Sequence, residues 1–126
     1  MTLVALGGAL GALSRHGLVK ALNSFNPHHT FSAGILAANL LGCALMGFLG
    51  VYATTLGQHY KEAFAALVLT GFLGSLTTFS TFILEIQKLS QTGEAKLLIT
   101  HLLAHLALGL LGVFGGIKFA ERVFTT

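Results

Sequence analysis

Glycines and hydroxyl side chains crowd into one short stretch of an otherwise apolar chain. From Thr70 to Phe82 it reads Thr-Gly-Phe-Leu-Gly-Ser-Leu-Thr-Thr-Phe-Ser-Thr-Phe, so two glycines, four threonines and two serines fall within 13 residues. Gly and Thr weaken a helix, and Ser and Thr hydroxyls can satisfy the backbone groups that a weakened helix sets free. Two readings stand side by side. In one the helix breaks here, and its freed carbonyls, buried in protein or lining a cavity, coordinate a cation. In the other the helix runs on and the hydroxyls form a packing face.

Other chemical groups are sparse. Phe79 and Phe82 are three apart and share a helix face. The edge of an aromatic ring is positive and can face an anion, although a Phe pair at this spacing ordinarily packs a core. Thr78, Ser80 and Thr81 carry hydroxyl donors, and Asn39 carries an amide donor without a full charge. His101 and His105 are four apart on one face, as metal ligands can be, but no carboxylate accompanies them in the sequence and no metal site is expected there. His28 and His29 read as a solvated loop pair. Glu85 is the only acid well inside an apolar segment. An acid at that depth points to function by default, while pairing with Lys88 one turn on is the ordinary alternative. The one cysteine, Cys43, reads as a small apolar filler and excludes a disulfide within the chain. No nucleophile–base pair, nucleotide loop or zinc motif is present, so an enzyme is not expected.

The elements that must hold these groups are membrane spans. Of 126 residues, 54% are hydrophobic and 9% charged, against about 25% charged in a soluble domain. A soluble protein this small has too much surface to cover with so few charges. Stretches 21–60, 63–84 and 97–117 contain no Lys, Arg, Asp or Glu. An apolar run of roughly 20 residues crosses the hydrocarbon core. Four helices are expected, at about 2–22, 31–53, 63–89 and 96–119, in a single domain over residues 1–126. Pro27, the only proline, falls in the first connection, where its missing N–H costs little. No basic region precedes the first apolar run, so that run is expected to stay as a helix rather than be cleaved. The basic balance suits loops beside anionic lipid headgroups, and no basic cluster suggests nucleic acid.

Sixteen glycines, most within the spans, let helices approach closely in lipid. Gly7 with Gly11, and Gly112 with Gly116, form GxxxG pairs that suit packing within one chain or between two. With four spans, Lys61, Lys118 and Arg122 lie on the side of the termini and Lys20, Lys88 and Lys96 on the other, with Arg15 inside the first helix. Three against three gives the positive-inside rule almost nothing to act on. Such a chain can insert both ways, and two opposed copies can pair about an axis in the membrane plane.

The segment Gly-Phe-Leu-Gly-Ser-Leu-Thr-Thr-Phe-Ser-Thr-Phe at 71–82 closely resembles the signature of the CrcB/Fluc fluoride channel family. Gly-Ile-Leu-Ala-Ala-Asn-Leu-Leu-Gly at 34–42 is similar to that family's second-helix motif, and Gly-Ala-Leu-Gly-Ala-Leu-Ser-Arg at 8–15 to its first. Length, span count and motif order agree over the whole chain. Ile35, Ser75 and Ile83 depart from the family pattern, as do Gly109 and Val113 in the fourth helix, and these changes thin the polar lining.

The resemblance implies an all-α membrane protein with four transmembrane helices, a break in the third, and an antiparallel dual-topology homodimer with two pores. It implies a passive fluoride-selective channel in a bacterial plasma or inner membrane that lowers cytoplasmic fluoride and so confers fluoride resistance. Asn39, Phe79 and Phe82 would line the pore, with Thr78, Ser80 and Thr81 as hydroxyl donors. Arg15 and Glu85 would belong to its ends. The carbonyls of Gly74 and Thr77 from both subunits would hold a structural Na⁺. Two other functions fit a four-helix, dual-topology chain. A proton-coupled exporter similar to small multidrug-resistance transporters needs an acid in the first helix, where this chain has Arg15 and none. A non-conducting partner in a heterodimer would not need the balanced charges.

Overall fold

A computed structural model describes residues 1–24 and 32–124 of the protein. Pro27, His28 and His29 lie outside the described residues. Four spans are long and apolar enough to cross a membrane: Thr2–Ser24, Ala33–Thr54, Gln58–Gln91 and Ala95–Phe124. The first, second and last are single helices, α1 (Thr2–Ser24), α2 (Ala33–Thr54) and α6 (Ala95–Phe124). The third is composite. It begins as α3 (Gln58–Phe64), widens into a π-helical stretch over Ala65–Leu73, tightens to the short α4 (Gly74–Leu76), breaks, and resumes as α5 (Phe79–Gln91).

The break resolves the ambiguity of the Gly/Thr/Ser stretch. Thr77 has φ −86° and ψ 153°, and Thr78 has φ −148° and ψ 117°, both extended. Leu76 closes one helix and Phe79 opens the next. A π-helical stretch is rare and often marks a functional site, because one extra residue per turn shifts the ladder of hydrogen bonds. Here it leads directly into the break.

Two helices run past the expected ends. The segment expected as the second connection is already helical from Gln58, where Gln58 Nε2 donates to Glu62 Oε1 at 2.9 Å. Helix α6 continues to Phe124 with Lys118 Nζ bonded to Glu121 Oε2 at 2.9 Å. In both cases i,i+3 or i,i+4 pairs carry the helix into charged sequence that reads as loop by hydropathy. Thirty residues give α6 a length of about 45 Å, which exceeds a hydrocarbon core of about 30 Å, so its charged last turns extend into the headgroups.

The spans pack in two close pairs, α1 against the third span and α2 against α6. Glycines set both distances. A Cβ placed on Gly7 or Gly11 would strike the carbonyls of Leu67 or Phe72, and one on Gly47 or Gly116 would strike those of Val113 or Ala44. The GxxxG residues Gly7, Gly11 and Gly116 thus pack within the chain. Gly112 is looser, with its nearest neighbour at 3.4 Å. At the end where α1 stops and α2 starts, the Asn23 amide brackets the Ser32 hydroxyl at 2.9 and 3.1 Å, and Asn23 Oδ1 accepts from the Gly34 N–H. Ser32 then caps α2 by accepting from the Ile35 N–H. Large apolar side chains cover the outside, among them Leu6, Leu10 and Leu13 on α1 and Leu110, Leu111 and Phe114 on α6. Lipid is the solvent that tolerates such a surface.

Candidate functional site: a cavity at the broken helix

Breaking a helix frees backbone groups that a membrane interior cannot hydrate. The sequence supplies replacements. Asn39 on α2 makes two bonds to one residue: its Nδ2–H donates to the Thr78 carbonyl at 3.1 Å and its Oδ1 accepts from the Thr78 N–H at 2.8 Å. The side-chain amide thus stands in for a neighbouring strand. The Thr78 N–H would meet the Gly74 carbonyl in a continuous helix, and here Asn39 takes it. Arg15 on α1 donates from Nη1 to the Thr77 carbonyl at 3.3 Å, which places a guanidinium beside the break. Thr78 Oγ1 accepts from the Thr81 N–H at 3.3 Å and caps α5. The same hydroxyl lies 3.2 Å from Ser80 Oγ and 3.1 Å from Thr81 Oγ1, so the three form one cluster.

A cavity of about 290 Å³ opens beside this break. Asn39, Thr77, Thr78, Phe79 and Phe82 line it, with His105 of α6 on the facing wall. The first turn of α5 begins here, and the dipole at its N-terminus favours negative charge. Phe82 is buried and lies face to face with His105, ring centroids 4.3 Å apart and planes at 28°. That stacking covers one negative face of Phe82. Phe79 sits 5.9 Å from Phe82 between centroids, tilted at 54°, and is 73% exposed on the single chain.

The structure therefore gathers Asn39, Thr78, Phe79 and Phe82 around one space, together with Thr77. Gly74, Ser80, Thr81, Arg15 and Glu85 stand outside its walls. Ser80 and Thr81 touch it through Thr78, and Arg15 through Thr77. Glu85 is buried, whereas Lys88 is exposed. Its Oε1 accepts from the Ser32 N–H at 3.2 Å and its Oε2 from His101 Nε2–H at 3.1 Å. The expected i,i+3 pairing with Lys88 gives way to these partners because α6 brings His101 across in place of water. The carboxylate missing beside His101 in the sequence arrives through the fold. His105 Nδ1–H in turn donates to the His101 carbonyl at 3.2 Å. In sequence the two histidines stand alone on one face of an apolar helix, and the acid that joins them lies 16 positions away.

Of the departures from the family pattern, Val113 lines the cavity, Ile35 is buried, Ile83 is exposed at 44%, and Gly109 faces Cys43 Sγ. Cys43 also lines the cavity.

Residues 2–117 match the family described as CrcB-like protein, Camphor Resistance (CrcB). The chain belongs to this family. Curated relatives agree over nearly the whole length. A protein of Hahella chejuensis named fluoride-specific ion channel FluC is 42% identical, covering 95% of this chain and 93% of its own. One of Symbiobacterium thermophilum named fluoride-specific ion channel FluC 2 is 40% identical, covering 94% and 95%. A FluC of Francisella philomiragia is 34% identical over 98% of this chain and 96% of its own. The four spans and this membership make the chain a multi-pass bacterial membrane protein, and its relatives are named as channels rather than enzymes.

Proposed function

We propose that the protein is a passive fluoride-selective channel that lowers cytoplasmic fluoride, and not an enzyme. The observation that carries this reading is the cavity at the break, where Asn39, Thr78, Phe79 and Phe82 converge. Fluoride is small and strongly hydrated, so a pore must replace several hydrogen bonds without holding the ion too tightly to leave. Hydroxyls, the start of α5 and the edges of two phenylalanine rings supply many weak positive sites and no full charge on the cavity wall. The relatives' names point the same way.

The working unit in this reading is an antiparallel homodimer with two pores. Phe79 and Ser80 are exposed at the break of a single chain, as is Gly74, and a second copy would cover them. The balanced loop charges permit both insertions. Two breaks meeting on the two-fold axis would present the carbonyls of Gly74 and Thr77. The donor set fits a Na⁺. The Gly74 carbonyl has lost the Thr78 N–H to Asn39, and the Thr77 carbonyl accepts the 3.3 Å contact from Arg15 and has a second lone pair. Four neutral dipoles suit a monovalent cation, whereas Mg²⁺ and Ca²⁺ favour carboxylates and water. Bound there, the ion would join the subunits and favour anions in the flanking pores.

Fluoride efflux from sodium-containing liposomes holding the purified protein tests the reading, and no efflux above protein-free vesicles would refute it. Reporters fused to the C-terminus are expected to label both sides of the membrane; one-sided labelling would sink the antiparallel arrangement.

A further inference from the structure

Gly116 serves the packing of α6 on α2, since a Cβ there would strike the Ala44 carbonyl. Its neighbour Gly115 is exposed, and a Cβ there would meet nothing within 4 Å. Glycine weakens a helix, and this one eases no contact within the chain. Its missing side chain instead leaves a notch on the outer surface. The two glycines belong to a groove of about 400 Å³ between α2 and α6, walled by Leu41, Leu45 and Phe48 on one side and Phe119 on the other. Phe48 and Phe119 lie against one another, ring centroids 5.7 Å apart. The groove is on the far side of α2 from the cavity. With about 3.6 residues per turn, positions 41, 45 and 48 fall roughly opposite 39, 42, 43 and 46, which line the cavity. A second copy laid over the break therefore leaves the groove to lipid. One turn beyond Phe119, Arg122 is exposed on the same face of α6, about 4.5 Å further along the axis. Lys118 and Glu121 of the same turns are bonded to one another at 2.9 Å, so the three leave a net positive charge. Lys61 stands on the same side of the membrane, and Glu62 beside it accepts from Gln58.

We propose that this groove is a binding site for an anionic phospholipid: one acyl chain lies over Gly115 and Gly116, and the phosphate meets Arg122. The groove is apolar along its floor and walls. The cation stands where α6 leaves the hydrocarbon for the headgroups. A slot that is apolar below and positive at its mouth matches the two ends of such a lipid. A free phosphate lacks the chain that the slot takes. A zwitterionic lipid fills the slot but brings a cation of its own beside Arg122, so the site favours the anionic headgroup. In an antiparallel pair the two mouths would open on opposite leaflets, one groove to each. The site goes beyond the channel reading and does not depend on it.

Two measurements test this, and neither reads fluoride. In native mass spectrometry of the detergent-purified protein, phosphatidylglycerol is expected to be retained about fivefold more than phosphatidylcholine of the same chains, the scale of one cation beside an anionic headgroup. Arg122→Gln is expected to erase that preference. Gly115→Leu is expected to lower retention of both lipids by a similar factor, since it fills the floor while the position has no neighbour in the chain to displace. Equal retention of the two lipids by the wild type, or unchanged retention of both in Gly115→Leu, overturns the proposal. A changed gel-filtration profile in Gly115→Leu with lipid retention unchanged assigns this face to a second copy and overturns it as well. The second measurement uses the wild type alone, so it does not depend on any variant folding. Phosphatidylglycerol with a photoactivatable group in its acyl chain, as a minor component of phosphatidylcholine vesicles holding the protein, is expected to label residues 41–48 and 115–119 most heavily. Even labelling over all the lipid-facing helices means that bulk lipid coats the protein without a site, and it overturns the proposal.

Discussion

The α2–α6 pair and the α1–third span pair solve the same packing problem with different consequences. Both bring backbones together through glycines whose missing Cβ makes room for a carbonyl on the facing helix. In the first pair both helices stay continuous, at 22 and 30 residues. In the second, the span facing α1 passes through a π-helical stretch and then opens at Thr77 and Thr78. Glycine alone therefore does not break a helix in a membrane. What differs is the supply of substitute partners: an amide on α2, a guanidinium on α1 and a capping hydroxyl at Thr78 receive the groups that the break sets free. The continuous pair is a frame, and the broken span is the chemistry it holds.

Asn39 joins the two, and removing it should do the most damage. Asn39→Asp keeps the acceptor for the Thr78 N–H but loses the donor to the Thr78 carbonyl and puts a charge in a desolvated cavity. Fluoride efflux is expected to fall by about a hundredfold or more, since an unpaired buried charge costs several kcal/mol. Asn39→Leu leaves both Thr78 backbone groups unpaired, each costing about 1–3 kcal/mol, so thermal unfolding should drop markedly. Flux and stability both unchanged would mean that the break does not depend on the frame.

The frame itself can be tested with two glycines one turn apart. Gly116→Val forces a side chain into the Ala44 carbonyl, and overpacking of this kind costs about 1–3 kcal/mol. Gly112→Ala meets neighbours no nearer than 3.4 Å and should be tolerated within about 0.5 kcal/mol. Equal effects on folded yield and melting temperature would contradict the packing of α2 on α6.

On the broken side, Phe79→Ile and Phe82→Ile remove a ring edge while keeping an apolar side chain. Each is expected to lower fluoride flux by roughly tenfold, the scale of one lost ring contact of about 1 kcal/mol or more, with the gel-filtration profile unchanged from wild type. Phe82→Ile should also release His105 from its stacked partner.

The division between frame and chemistry sets how much could be read from sequence. Span number came from charge-free runs, because lipid requires every backbone group to be satisfied within the helix and leaves hydropathy as the dominant signal. Helix ends extend five residues beyond the hydropathy reading at both Gln58 and Phe124, where short-range side-chain pairs carry helices into charged sequence. Residues 70–82 announced a weak point, but composition alone left a break and a continuous helix equally open. The deciding group, Asn39, lies 39 positions from Thr78, and its pairing is invisible to any local pattern. The same holds for Glu85 and His101, joined by packing α5 against α6.

The smallest expected effect concerns the apolar part of the cavity wall. Leu106, Met46 and Val113 line the same space as the polar break, so the α6 side of the cavity is mostly apolar. Val113 belongs to the frame twice over: its side chain lines the cavity, and its carbonyl receives the close approach of Gly47. Val113→Ser adds a hydroxyl donor without touching that carbonyl and without enlarging the side chain. The hydroxyl can also bond back to a carbonyl of the preceding turn, so it is not stranded when the ion is absent. One neutral hydrogen bond contributes about 1 kcal/mol at most after desolvation, so flux is expected to rise about two- to fourfold, with melting temperature slightly lowered. Val113→Thr keeps the β-branched shape and should give the same sign with less loss of packing. A fall in flux with both variants would mean that α6 serves the pore only as a dry wall, and that every donor the anion meets comes from the broken span and from α2.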